Sequence, residues 1–177
     1  MGIASRWIFA GEEGSIMEIE LIKATHKEQP MLANLLELYA YDLSSIWPFD
    51  IGDNGFYGYK YLHLYFKEPN RYPFIIKVYG KIAGFVLAQY GSHLENTEDY
   101  YDIAEFFILR KYRKKGVGKI VAHRIFQMFY GKWQVRVFKD NIMAHKFWDN
   151  TIKDYTKKEI EPIKLNIDSE EWLVYRF

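Results

Sequence analysis

The stretch Arg113-Lys114-Lys115-Gly116-Val117-Gly118-Lys119 constrains this chain more than any other, because it closes one apolar run and opens a second of different period. Ile103 to Leu109 (IAEFFIL) is continuous and rich in aromatic and branched residues, the pattern of a buried strand. Val117 to Phe129 sets Val117, Val121, Ile125 and Met128 at helical spacing. A strand that feeds a helix through a basic, glycine-containing turn makes an anion site. The first N–H groups of the helix have no internal partner, and the helix dipole favours negative charge beside them. Gly116 and Gly118 allow the backbone to approach phosphate oxygens with no Cβ in between. The expected guest is a pyrophosphate.

Two common phosphate fingerprints do not fit. A P-loop requires GxxxxGK[ST], but Ile120 follows Gly118-Lys119 and Arg113 stands where the first glycine should be. A Rossmann turn requires GxGxxG, and its third glycine position falls on Val121. A second motif lies downstream, Asn141-Ile142-Met143-Ala144-His145-Lys146-Phe147-Trp148, after a run whose alternation puts Trp133, Val135 and Val137 on one strand face. Arg113-x-x-Gly116-x-Gly118 followed by Asn141-x-x-Ala144-x-x-Phe147 resembles the GNAT acetyltransferases, with their [QR]xxGx[GA] and NxxAxxFY patterns. The resemblance runs from about Lys81 to Trp148. Trp148 stands where the family has a tyrosine, and Asp149-Asn150-Thr151-Ile152 replaces its usual Lys-x-Gly-Phe ending.

The resemblance implies a fold and a chemistry. The fold is the acyl-CoA N-acyltransferase α/β class: a mixed, mostly antiparallel sheet of about seven strands with helices on both faces, ordered β-α-α-β-β-β-α-β-α-β-β. The chemistry is transfer of an acetyl group from acetyl-CoA to an amine by direct attack in a ternary complex. Gly116, Val117, Gly118 and Lys119 are then expected to give N–H donors to the pyrophosphate, with Arg113 and Lys114 supplying charge. The backbone at Ile108 and Leu109 would pair with the pantetheine, and a strand N–H near Ile108 would polarise the thioester carbonyl. Asn141, Ala144 and Phe147 would lie beside the pantetheine arm, although Asn141 also suits a helix N-cap. Glu105 is the candidate base, or else a carboxylate paired structurally. Trp148 removes the usual general acid. The alternative is a non-catalytic acyl-CoA-binding or partner-binding module on the same fold.

The remaining periodicities fill in the domain. Glu18–Ala24 alternates as a strand, and Gln29–Leu43 is an amphipathic helix. Ser44 to Gly58 reads as a loop, and Tyr59 to Phe66 as a second helix. Phe74–Tyr79 and Ile82–Tyr90 are strands joined by a tight hairpin at Gly80-Lys81, and Lys157–Ile163 and Trp172–Phe177 are closing strands. Residues 1–16 read as a dispensable leader before one domain over 17–177. The resemblance implies that the acceptor binds near the first two helices and their loop. There Asp42, Asp50 and Asp53 among Tyr41, Trp47, Phe49, Phe56, Tyr57 and Tyr59 suit a cationic acceptor, whether small molecule or protein amine, or else form an acidic loop beside core aromatics.

Composition excludes several classes. Zero cysteines rule out disulfides, thiolate zinc sites and a cysteine nucleophile. A net charge of +1 argues against a nucleic-acid-binding or membrane-binding surface. No apolar run nears the roughly 18 residues of a membrane span. His63, His123 and His145 are scattered, so no metal site is expected. A cytoplasmic monomer or homodimer fits these bounds.

Overall fold

The computed structural model describes residues 4–10, 16–47, 49–91, 94 and 99–177. Among them are eight strands in one sheet: β1 (Ala4–Ala10), β2 (Ile16–Lys23), β3 (Arg71–Val78), β4 (Lys81–Tyr90), β5 (Tyr100–Ile108), β6 (Lys132–Phe138), β7 (Ile163–Ile167) and β8 (Glu170–Arg176). Their spatial order is β1-β2-β3-β4-β5-β6-β8-β7. The β5–β6 pair is parallel, whereas β1–β2, β2–β3, β6–β8 and β7–β8 are antiparallel. Three α-helices accompany them: α1 (Gln29–Leu43), α2 (Val117–Met128) and α3 (Ile142–Thr156). This is the mixed, mostly antiparallel architecture that the motifs imply, with one strand more than expected.

The extra strand is β1, which falls within the segment read as a leader. It pairs with β2 from Ala4↔Ile22 to Ala10↔Ile16. Two other elements differ from expectation. The helix expected over Tyr59–Phe66 is only a 3-10 turn, Leu62–Phe66. Its buried residues are Leu62 and Tyr65, three apart, which is the 3-10 repeat rather than the α repeat. The closing strand expected over Lys157–Ile163 begins at Ile163. Lys157 instead ends α3 in a left-handed conformation with its N–H on the Lys153 carbonyl, and Pro162, which has no N–H for a ladder, precedes β7.

Local signals explain the other boundaries. Thr25 and Glu28 form a capping box just ahead of α1, and Pro30 occupies its first turn, where a missing N–H costs nothing. Tyr79 and Gly80 both have positive φ (49° and 69°), the type I′ geometry that fits a two-residue hairpin.

The chain divides into two compact units, the described residues up to Leu87 with Glu105–Val117, and Ala88–Ala104 with Gly118–Phe177. In the first unit, Leu21, Ile76, Leu32 and Leu36 are buried. Tyr39 of α1 packs edge-on to Phe85 at 5.8 Å and tilted on Phe107 at 5.6 Å. Gly84 is demanded by proximity, since a Cβ there would sit 2.0 Å from the Phe107 carbonyl oxygen. In the second unit, Phe126 of α2 meets Trp133 at 5.0 Å, Tyr155 at 5.1 Å and Phe177 at 5.1 Å. Asp102, fully buried there, is paired with Arg136 at 2.8 Å. No described helix is long and apolar enough to cross a membrane.

Candidate active site

The turn between β5 and α2 is built by backbone conformation. After Ile108 comes a 3-10 turn (Arg110–Tyr112), then extended Arg113, then Lys114 at φ 56° and Gly116 at φ 77°. Alternation between left-handed and ordinary conformations turns successive N–H groups inward and makes an anion-binding concavity. α2 begins at Val117, so the N–H groups of Val117, Gly118 and Lys119 stand ahead of the first i→i−4 partner. Val117 anchors the helix start with a buried side chain. Lys114 and Lys115 are exposed. A residue with a Cβ at Gly116 would be strained at that φ.

Arg113 clamps this turn from beneath. Its Nη2 donates to Asp42 Oδ2 at 2.6 Å and its Nε to the Ile108 carbonyl at 2.7 Å, while its guanidinium lies 5.5 Å from the Phe107 ring centre. Arg110 donates to the other oxygen of Asp42 at 2.6 and 3.0 Å. Burial pushes the Asp42 carboxyl up, but hydrogen bonds from Arg110 and Arg113 outweigh it and hold the group below the ordinary carboxylate range. Asp42 therefore braces the turn between β5 and α2. Asp50 and Asp53, grouped with it in the sequence analysis, lie apart from that turn on the Ser44–Gly58 segment, and both are exposed.

The end of β5 is also specified. The Leu109 N–H donates to the Ala83 carbonyl of β4 at 2.8 Å. Strand alternation then directs the N–H and carbonyl of Ile108 to the side away from β4. That carbonyl is taken by Arg113, and the N–H faces the same way. The β5–β6 ladder runs only from Tyr100↔Lys132 to Ile103↔Val135, so Glu105–Ile108 lie beyond its end.

Glu105 has a partner that the sequence did not suggest. That partner is Tyr59, whose ionisation the Glu105 charge opposes. Burial first, and then the Glu105 charge, push Tyr59 far above the ordinary tyrosine range. Tyr59 lines a groove of about 540 Å³ with Tyr57, Gly58, Lys60 and Tyr61. Glu37 of α1 anchors that segment, accepting from the N–H groups of Tyr57 and Gly58 at 2.8 Å each. Glu37 and Asp42 are the only acids in α1, and that was the one available signal. Their partners lie 20 to 71 residues away.

In the second unit, Asn141 is the N-cap of α3, its Oδ1 accepting from the Ala144 N–H at 3.0 Å. Ala144 and Phe147 are half-buried. Phe147 meets Trp148 edge-on at 4.9 Å, and Trp148, 5% exposed, packs 6.4 Å from Phe126. Trp148 is thus a core residue with no O–H to offer. The Lys119 ammonium pairs with Asp154 at 3.1 Å; Asp154 also binds Lys157. Hydrogen bonds from Lys157 and then Lys119 bring the Asp154 carboxyl down to about 2. Among the described residues no group of three or more His, Asp or Glu side chains is arranged to hold a metal ion.

The model of the acetyltransferase (GNAT) family matches residues 33–150. No curated protein matches the chain. Solved structures do. An acetyltransferase from Thermus thermophilus superposes with a TM-score of 0.64 at 15% identity, covering 90% of this chain and 96% of that one. A GNAT-family acetyltransferase from Streptococcus pneumoniae gives 0.59 at 15% identity, over 90% and 98%. An aminoglycoside acetyltransferase solved in complex with coenzyme A gives 0.62 at 13% identity, over 90% and 94%.

Proposed function

Since the chain belongs to the GNAT acetyltransferase family, we propose that it transfers an acetyl group from acetyl-CoA to an amine acceptor by direct attack in a ternary complex. Acetyl-CoA supplies the acetyl group already activated as a thioester. The residues present suit it: a turn with two left-handed positions ending at the free N–H groups of a helix start favours a pyrophosphate. Val117, Gly118 and Lys119 would hold it through backbone N–H groups, with the Gly116 conformation aiming them. Lys114 lends charge, and Arg113 contributes by bracing the turn, since its guanidinium is already bonded to Asp42 and Ile108. Asn141, Ala144 and Phe147 are assigned to the pantetheine arm on the strength of their motif.

The carbonyl and the amine then each have a residue to serve them. The Ile108 N–H is the donor available to a carbonyl oxygen as charge builds on it, a contact worth about 3 kcal/mol in comparable sites. Glu105 accepts a proton from the acceptor. An alkyl ammonium with a pKa near ~10.4 is almost wholly protonated at neutral pH and cannot attack until it loses one. With Trp148 in the core, the thiolate departs without a tyrosine at that position. Good positioning of reactants alone can supply ~7–11 kcal/mol, so an acid is helpful and not obligatory.

The observation that carries this reading is the left-handed turn at Lys114 and Gly116 opening α2, with a carboxylate on the strand that feeds it. One observation favours the second reading, an acyl-CoA-binding module without catalysis: the buried indole of Trp148. Calorimetric titration with acetyl-CoA, followed by an amine panel read through release of free thiol, separates the two. Binding with thiol release supports the enzyme, binding without it supports the module, and no binding overturns both.

A further inference from the structure

The second unit carries a row of polar side chains that neither motif uses. Phe126 of α2 packs on Trp133, so the alternation of β6 turns Gln134 and Arg136 to the opposite face of the sheet. Register sets Asp102 of β5 and Arg176 of β8 directly across from Gln134, on that same face. Asp102 and Gln134 are both 0% exposed, and Gln89 of β4 is buried beside them. Their contacts form a chain. One Asp102 oxygen accepts from Arg136 at 2.8 Å and from Gln89 at 3.3 Å, and the other accepts from the Gln134 amide nitrogen at 3.4 Å. An ionised carboxylate only accepts, so the Gln134 amide must turn its nitrogen to β5 and its oxygen to β8. That oxygen takes the Arg176 Nε–H at 3.2 Å, and the Arg176 guanidinium lies 5.8 Å from the Tyr100 ring centre.

The charges along this row do not balance. Asp102 is matched by Arg136, and Asp99 by Lys132 at 2.6 Å. Arg176 forms no ion pair with any described residue, and its one hydrogen bond uses Nε. Both Nη groups, the edge of the fork that grips two coplanar oxygens, are therefore unused. We infer that this face of β5, β6 and β8 binds a small carboxylate, with the two Nη groups of Arg176 as donors and Gln134 and Asp102 as the residues that position them. Buried polar side chains are costly where apolar ones would close the same sheet. Here they hold one guanidinium in a fixed plane, so less side-chain freedom is lost when an anion docks. The planar fork favours a carboxylate over a phosphate, whose second charge would meet no further uncommitted cation in the row. The residues involved are distinct from those of the pyrophosphate turn, and the inference does not depend on acetyl transfer.

Titration of the full chain with sodium succinate and sodium acetate tests this, against sodium chloride and sodium phosphate at equal ionic strength. Nitrogen-detected NMR follows the arginine Nε–H signals and the backbone amides of β8, and the Arg176 signal is the one that disappears in Arg176→Lys. Succinate and acetate should shift both sets saturably, chloride should not, and phosphate should bind more weakly than either carboxylate. Arg176→Lys keeps the charge and loses the fork, so succinate affinity read from the β8 amides should fall roughly tenfold. Gln134→Met leaves Arg176 in place without its brace. Succinate affinity should then fall about threefold, and the Arg176 Nε–H should exchange faster with water. Should Gln134→Met fail to fold, the half-buried Arg176→Lys decides alone. Acetyl-CoA affinity should stay within about twofold of the parent in both variants. No saturable shift, succinate binding unchanged in Arg176→Lys, or phosphate bound as tightly as succinate overturns the inference. Failure of the parent to bind acetyl-CoA overturns the proposed function and leaves this site standing.

Discussion

The turn that follows β5 and the helix that follows β6 are each marked by a short motif, yet they are held in opposite ways. Around the turn, in the first unit, the fixing contacts are directional and charge-assisted: Asp42 to Arg110 and Arg113, Arg113 to the Ile108 carbonyl, Glu37 to two amides. Around α3, in the second unit, ring contacts among Phe126, Trp133, Phe147, Trp148 and Tyr155 do most of the fixing, beside the Asn141 cap and the Lys119–Asp154 pair. The difference follows from what each segment must present. A turn that offers N–H groups to an anion needs particular φ values and an oriented strand end, and apolar packing has no direction with which to impose them. A helix that presents side chains rather than backbone N–H groups can be fixed largely by area and shape.

The contrast can be broken by comparing stabilities. Trp133, 2% exposed, contacts Phe126, Phe129 and Tyr101. Its replacement by alanine should cost about 3–5 kcal/mol and lower the unfolding temperature by roughly 10 °C. Differential scanning calorimetry measures this directly. A loss no larger than that of Asp42→Asn would show that the second unit does not depend on its rings as argued.

Gly116→Val attacks the turn by conformation alone. A β-branched residue at φ 77° is a genuine outlier and costs on the order of 1–3 kcal/mol of strain, or else flips the turn. Acetyl-CoA affinity should fall by roughly 100-fold, equivalent to about 2.7 kcal/mol, while the folded state survives. Titration calorimetry reads the affinity and circular dichroism the fold. Parental affinity in a folded variant would remove the anion nest from the site.

Asp42→Asn sharpens the contrast from the polar side. It leaves Arg113 without its carboxylate, and a charged hydrogen bond of this partly exposed kind is worth about 1.5 kcal/mol at neutral pH. The sign of the pH effect follows from the depressed folded-state pKa. The stabilisation is fully present above the unfolded carboxylate value near ~3.9 and disappears as pH falls through the lower folded value. Parent and variant should therefore differ at pH 7 and converge below pH ~4. Denaturant melts at several pH values test it, and a constant difference down to acid pH would contradict the ion pair.

Much of this was legible in advance because it is local. The α1 boundaries follow from Pro30 and the amphipathic run, the I′ hairpin from Gly80, and the anion turn from Gly116. What was not legible depends on partners far apart in the chain. Asp42 meets arginines 68 and 71 residues away, and Glu37 an amide 20 away, so neither role has a local pattern. Tyr59 opens the helix expected from sequence and lies outside the 3-10 turn that forms, because aromatic runs carry no cue separating a 3-10 turn from an α-helix. The capping role of Asn141 was readable, since an asparagine before a helical run suits that position in any fold.

The smallest expected effect concerns the N-terminal strand, where local reading and pairing pull in different directions. Residues 1–16 carry a composition unlike the rest of the chain, and we propose that the domain does without them. β1 nonetheless pairs with β2 along its whole length. The two statements are compatible because β1 is the outermost strand. Ile19 and Leu21 of β2, both 0% exposed, are paired on their other side with Val78 and Ile76 of β3, which would hold β2 in the sheet without β1. Within β1, Ile8 is 68% exposed and Trp7 half-buried. Deletion of residues 1–16 should lower the unfolding temperature by no more than about 3 °C, roughly 1 kcal/mol, and leave acetyl-CoA affinity unchanged. It should also raise self-association, since the hydrogen-bonding edge of β2 becomes the edge of the sheet. Calorimetry and light scattering on the truncated chain decide the matter, and a drop well beyond ~3 °C would make β1 an integral strand of the first unit.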